Sequence, residues 1–208
     1  QRLIDAACEM DYPKGKLEIQ VLDDSTDETF DLIERSVSVW RSRGVNIHHI
    51  RRESRTGYKA GALAHALPLA SGDAIAIFDA DFLPASDFLK RMVPELGDPA
   101  IGMVQARWGH LNANRNWLTV AQAVFLDDHF SIEHRVRDGR SRFFNFNGTA
   151  GIWRKTAIEQ AGGWDASTLT EDLDLSFRAQ LSGVRFSYMD DVEVNAELPA
   201  DMSAFKAQ

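Results

Sequence analysis

Three acidic motifs place carboxylates where the chain changes direction. Asp23-Asp24 follows Leu17–Leu22 (LEIQVL), which reads as a strand, and precedes Ser25-Thr26-Asp27-Glu28, which reads as a capping box opening a helix. In open α/β sheets ligands bind outside the carboxyl ends of strands, so this pair is placed to accept hydrogen bonds from a ribose or a base. The competing reading has Asp24 merely helping to cap the helix. Asp79-Ala80-Asp81 closes the apolar run Ala74–Phe78 (AIAIF). Residues i and i+2 of a strand share a face, so both carboxylates aim at one spot and repel unless a cation lies between them or one takes a proton. Hard oxygen ligands suit Mg²⁺ or Mn²⁺, bound together with substrate phosphates. A plain turn before Leu83-Pro84 is the alternative. An aspartyl phosphatase also opens this way, but it wants Thr or Val soon after the second Asp, and Phe82-Leu83-Pro84 follows here. Thr170-Glu171-Asp172 reads as a helix start. Asp172 is either a general base within reach of a hydroxyl proton or an acid complementing the helix dipole behind a Thr170 cap.

The segment Arg51–Gly61 joins a strand end to a helix start and mixes cations with small residues. Its glycines allow close backbone approach, and Lys59 or Arg55 is placed to meet a diphosphate. Its spacing is not that of a P-loop; a solvated charged loop is the alternative.

These motifs need a frame to hold them. Short β-like runs alternate with helical segments, the pattern of an α/β fold with a largely parallel sheet. Strands are expected at Leu17–Leu22, Asn46–Ile50, Ala74–Phe78 (buried on both faces), Ile101–Arg107, Ala150–Trp153, Arg185–Met189 and Val192–Asn195. Helices are expected at about Asp27–Arg43, Tyr58–Ala70, Ser86–Leu96, Asn116–Arg135 (long and amphipathic) and Glu171–Leu181.

The 208 residues suit one domain and carry 23 Lys+Arg against 31 Asp+Glu, a net charge of −8. That balance argues against a general nucleic-acid binder. A single cysteine, Cys8, excludes an internal disulfide and a cysteine-based zinc cage. No stretch approaches the roughly 18 consecutive apolar residues of a membrane span.

Taken in order, VLDDSTDET (21–29), RTGYKAGAL (55–63), FDADFLP (78–84), VQARWGHLN (104–112), DDHFSIE (127–133), FNGTAGIWR (146–154) and TEDLDLSFRAQLSGVRF (170–186) resemble a processive family-two glycosyltransferase. The likeness is nearest to the cellulose-synthase-like enzymes that make β-1,4-mannan, glucomannan or glucan backbones. It implies a GT-A fold, an α/β arrangement with a mixed, mostly parallel sheet flanked by helices. It implies that Asp23 and Asp24 hold the base and ribose of a UDP- or GDP-type donor. Lys59 lies near that donor, and Asp79 and Asp81 form the D-x-D motif that holds Mn²⁺ or Mg²⁺, with Asp81 the direct ligand. Asp172 becomes the general base of an inverting transfer. Asn147, Gly148 and Thr149 line the acceptor end, with Glu171 on that side. Trp108 either stacks on a sugar there or packs in the core. Residues 1–208 are then one catalytic domain, cut short of a preceding strand, of a Q-x-x-R-W segment near Gln208 and of membrane helices. The full protein would work at the cytosolic face of a membrane on a glycan or lipid acceptor, the segment itself being soluble. The alternatives are a Mg²⁺-dependent phosphohydrolase and a non-catalytic nucleotide-binding scaffold.

Overall fold

The computed structural model describes residues 1–168 and 170–207, so the segment expected around Gln208 lies outside the described residues. In chain order the elements are α1 (Arg2–Cys8), β1 (Ile19–Leu22), α2 (Thr29–Ser42), β2 (Ile47–Ile50), α3 (Tyr58–Ala66), β3 (Ala74–Ile77), β4 (Phe82–Leu83), α4 (Phe88–Met92), β5 (Ile101–His110), α5 (Trp117–Asp127), α6 (Arg135–Gly139), β6 (Gly151–Arg154), α7 (Lys155–Gln160), α8 (Glu171–Leu181), β7 (Arg185–Ala196) and α9 (Met202–Ala207). A π-helical stretch, Asp128–His134, joins α5 to α6. No helix among the described residues is long and apolar enough to cross a membrane.

The strands form a parallel pair, β1-β2, and a five-stranded sheet in the order β3-β6-β5-β7-β4. The sheet is mixed and flanked by helices, as expected, but it is not mostly parallel. Only β5-β7 is parallel in the larger sheet; β6 runs against both its neighbours and β4 against β7. Apolar runs do not encode direction, because a strand covered on both faces reads alike in either orientation. β3 is itself only half-buried along most of its length, with Ile77 alone fully covered.

Alternation along β5 divides the interior. Val104 and Ala106 join Phe88, Met92, Ile152 and Val194 on one face, while Met103 joins Trp153, Phe146, Ile158 and Leu175 on the other. A third, small cluster of Ile4, Val37 and Ile47 holds α1 and α2 to the β1-β2 pair.

Several expected boundaries shift for identifiable reasons. Pro68 and Pro94 lack the amide proton an α-helix needs, and the chain tightens there into 3-10 turns at Leu67–Leu69 and Val93–Gly97. The Ser25/Glu28 capping box does not form. Ser25 turns back to Asp23, and Asp27 accepts the Thr29 amide instead (3.0 Å). A true capping box occurs at Asn116 and Thr119, which starts α5. The two late strands are one, β7, because Asp190–Val192 is absorbed as a bulge between the pairs Ala106↔Met189 and Arg107↔Glu193.

Candidate active site

The D-x-D segment is a turn, not a strand end: β3 stops at Ile77, and the Phe82 amide closes back on the Asp79 carbonyl (3.0 Å). The shared-face argument for Asp79 and Asp81 therefore does not apply, and other contacts bring the groups together. Lys59, in the first turn of α3, places Nζ 2.5 Å from Asp79 Oδ1. The same ammonium lies 3.3 Å from the point a Gly148 Cβ would occupy, and Asp172 Oδ2 lies 3.2 Å from that point. The lysine and the Asp172 carboxylate thus both crowd the Cβ side of Gly148 (φ +80°), a position that both the backbone angle and the space reserve for glycine. Thr170 makes no side-chain cap at the start of α8; Asp172 Oδ1 accepts the Leu173 amide (2.8 Å) and Oδ2 is turned toward the gap. The acid at the start of α8 is present, but the Thr170 cap expected with it does not form. Glu171 precedes it, half-buried.

The loop carrying Asn147, Gly148 and Thr149 is pinned from beneath. Gln105, fully buried on β5, accepts the Asn147 amide (3.1 Å) and donates to the Thr149 and Ala150 carbonyls (3.1 Å each). The Asp79 amide donates to Thr149 Oγ1 (2.8 Å), and the Ala150 amide to the Ile77 carbonyl (2.8 Å). These bonds hold Ala150 at φ +56°, an unfavourable conformation for a non-glycine residue. The same loop that faces Asp172 thus anchors the D-x-D turn. The Asn147 side chain donates from Nδ2 to His129 Nε2 (3.0 Å). Trp108 is packed by Phe82 and Phe130, with ring centroids 5.0 Å away in both cases, so its contacts are those of a core residue.

Asp23 and Asp24 lie at the end of β1 with different partners. Buried Asp23 accepts from the Ser25 amide (2.8 Å) and hydroxyl (2.5 Å) and pairs with His49 Nε2 (2.9 Å). Burial works to raise its carboxyl, but the Ser25 and His49 contacts outweigh that and hold it below the usual range. Both Asp24 oxygens are taken by Arg52, at 2.8 and 2.5 Å, and the Arg52 guanidinium is the main cause that lowers the Asp24 carboxyl. Arg52 also donates to the Thr56 and Tyr58 carbonyls (2.7 Å each), tying Asp24 to the turn that presents Lys59. Arg55 instead lies over the Tyr58 ring. Arg52 lies in the basic segment and Gln105 in the VQARWGHLN stretch, but no individual role for them or for His49 follows from the sequence, since a lone Arg, Gln or His has no spacing signature. Only the position of Arg52 and His49 between two acidic motifs hinted at them.

The donor set fits a hard divalent cation. Asp81 is exposed by area, yet loss of solvent is the main cause raising its carboxyl, and Asp79 and Glu197 add repulsion. A carboxylate so crowded by acids favours a cation beside it. Among the described residues no three acidic, His or Cys side chains close on one point, so a metal here would complete its shell with water and phosphate oxygens, as Mg²⁺ and Mn²⁺ commonly do.

A mixed sheet flanked by helices in this order is the arrangement of a GT-A glycosyltransferase. The chain belongs to that class: the family model described as "Glycosyltransferase like family 2" matches residues 1–208. Among curated relatives, glucomannan 4-beta-mannosyltransferase 9 of Arabidopsis thaliana is 47% identical over the whole chain, which covers 40% of that protein. Probable glucomannan 4-beta-mannosyltransferase 7 of Oryza sativa subsp. japonica is also 47% identical, over 99% of this chain and 36% of its own length. The chain therefore spans well under half of these relatives. Among solved structures, mannosyltransferase PcManGT from Pyrobaculum calidifontis, in complex with GDP-Man and Mn²⁺, superposes with a TM-score of 0.75 at 25% identity, over 96% of this chain and 53% of that one. S. aureus TarS 1-349 in complex with UDP-GlcNAc shares the fold, with a TM-score of 0.71 at 18% identity over 99% and 56% of the two chains.

Proposed function

We propose that this domain catalyses inverting transfer of mannose from GDP-mannose to the hydroxyl of a growing β-glycan. The observation that carries this reading is the cluster at Gly148: the Lys59 ammonium, paired with Asp79, and the Asp172 carboxylate both lie within 3.3 Å of the point its Cβ would occupy. The mannosyltransferase relatives and the GDP-Man complex of PcManGT support mannose and GDP over glucose and UDP. Asp79 and Asp81 would hold Mn²⁺ or Mg²⁺, which supplies positive charge to stabilise the leaving diphosphate. Lys59 adds a second positive charge on the same side. Asp172 Oδ2 takes the proton from the acceptor hydroxyl as that oxygen attacks C1. The bond from C1 to the diphosphate breaks as the new glycosidic bond forms, and one displacement at an α-linked donor leaves a β-linked product. The transition state carries oxocarbenium character, as in other glycosyl chemistry.

The test is Asp172→Asn assayed in the full chain with labelled GDP-mannose, GDP-glucose and UDP-glucose. Removing a general base should lower kcat by about 10²–10⁴-fold. Donor affinity by calorimetry should hold within about twofold, because the base acts on the acceptor. Near-normal turnover, or transfer from UDP-glucose alone, overturns the reading.

A further inference from the structure

The segment DDHFSIE (127–133) is as motif-like as the acidic pairs, yet it contributes no group to the chemistry described above. It coincides with the π-helical stretch between α5 and α6. A π segment inserts a residue into the helical ladder and re-aims the side chains around it, and such insertions cluster at functional sites. Here the wider turn brings His129 and His134, five residues apart, to a ring-centroid distance of 4.4 Å. His134 is buried among Phe130, Phe144 and Tyr188 with neither ring nitrogen bonded to a described residue, so it acts as a wall. His129 is different: both its nitrogens are engaged.

Nδ1 of His129 lies 2.9 Å from Glu133 Oε2, and Nε2 lies 3.0 Å from Asn147 Nδ2. A carboxylate only accepts, so the ring proton sits on Nδ1 and the Nε2 lone pair faces the Asn147 amide. Glu133 is itself held by Arg137 (2.9 and 2.7 Å). The chain of contacts therefore runs Arg137–Glu133–His129–Asn147 and ends one residue before Gly148. From the other side, Gln105 holds only the backbone of the loop, through the Asn147 amide and the Thr149 and Ala150 carbonyls. His129 is the contact that fixes the Asn147 side chain.

The geometry points to His129 as a positioning residue: oriented by Glu133, it holds Asn147 so that the Gly148 backbone keeps its place against Lys59 and Asp172. This rests on the proposed transfer reaction, because the loop packs against both the acceptor-side base and the donor-side cation. The competing account is that His129 only fills space against His134 and Phe130.

His129→Phe and His129→Gln separate the two. Phenylalanine keeps the ring volume and loses both hydrogen bonds. Glutamine loses the ring but keeps a carbonyl for the Asn147 amide and an amide for Glu133. Steady-state mannosyl transfer in the full chain should show kcat about 10- to 100-fold lower for His129→Phe, the scale on which small misplacements act. His129→Gln should recover most of it. GDP-mannose affinity and the melting temperature should be nearly unchanged in both. Glu133→Ala, at an exposed position that folding tolerates, should show a smaller loss and no further loss when combined with His129→Phe. Equal activity of the Phe and Gln variants, or additive losses in the double variant, overturns the positioning role while leaving the transfer reaction intact. A wild type that transfers no mannose overturns the transfer reading and this inference with it.

Discussion

Lys59 carries the charge balance of the cleft. It pairs with Asp79, and its ammonium shares with the Asp172 carboxylate the space beside Gly148. Lys59→Met should weaken GDP binding about tenfold, the worth of one charge-assisted hydrogen bond to a phosphate oxygen. Mn²⁺ alone should bind at least as well as before, since Asp79 loses a competitor. Paired titrations with GDP and with Mn²⁺ check both halves, and unchanged GDP affinity would remove Lys59 from the donor side. Arg52 acts through others. Its fork joins both Asp24 oxygens to two carbonyls of the turn before Lys59, and Gly61 leaves it room, since a Cβ there would lie within clash distance of Arg52 Nη1 and the Thr56 carbonyl. Arg52→Ala should cost about 2 kcal/mol or more in a denaturant titration, as the hydrogen bonds of a largely buried ion pair are lost. Arg52→Lys should not restore it, because an ammonium cannot span a carboxylate and two carbonyls in one plane. Full rescue by lysine would show that charge alone is sensed.

The helix from Asn116 onward is the element whose geometry departs furthest from its sequence pattern. A run of apolar and polar residues at helical spacing predicts one long α-helix, but a π stretch interrupts it and buries His134 in an aromatic cage. Loss of solvent is the main cause that pushes the His134 imidazole down to about 4, with the nearby His129 adding to it. The sign follows from linkage: below the usual pKa of about 6.5 the unfolded chain takes up a proton that the folded chain refuses, so stability falls as pH drops from about 6.5 toward 4. The contribution is about 3 kcal/mol at full effect. His134→Phe, which suits the aromatic cage, should flatten the stability curve across that window and leave it unchanged above pH 7. Parallel curves for wild type and variant between pH 4 and 6.5 would show that the ring is charged inside the fold. The loop at Gly148 obeys a comparable rule at the element level: a conformation costly in isolation persists because Gln105, Thr149 and Ile77 over-determine it.

At the scale of the molecule, the candidate site lies across two unequal sheets. Asp23 and Asp24 end β1 of the two-stranded pair, whose own buried cluster comprises Ile4, Val37 and Ile47. Asp79, Thr149 and the loop before β6 belong to the five-stranded sheet with its two larger clusters. Fewer buried contacts mean cheaper local opening. Amide exchange should therefore be faster in Ile19–Leu22 and Ile47–Ile50 than in Ile101–Ala106. GDP with Mn²⁺ should slow it most at the β1 end, because a ligand bound only to the closed form stabilises that form by mass action. Uniform protection of both sheets without ligand, or no change at β1 with it, would show that the smaller sheet is no separate opening unit.

Candidate groups and the approximate start of each element are legible in the sequence. Asp172 lies in the first turn of α8, Lys59 in the first turn of α3 and Asp79 just after β3, because strand ends, helix starts and glycine-rich turns are local and leave a local signature. The ordered motifs also sufficed to place the chain in its family. The tertiary structure alone decided what those groups touch. Asp79 lies in a turn held by Thr149, 70 residues away from it, and not at the end of a strand face shared with Asp81. Asp24 faces Arg52, 28 residues on, and Asn147 meets a histidine that a π turn re-aims. Strand direction, the bulge in β7 and the partners of buried Gln105 are of the same kind. Each depends on contacts distant in sequence, and a run of apolar residues or a single polar one reads the same whichever neighbour the fold brings against it.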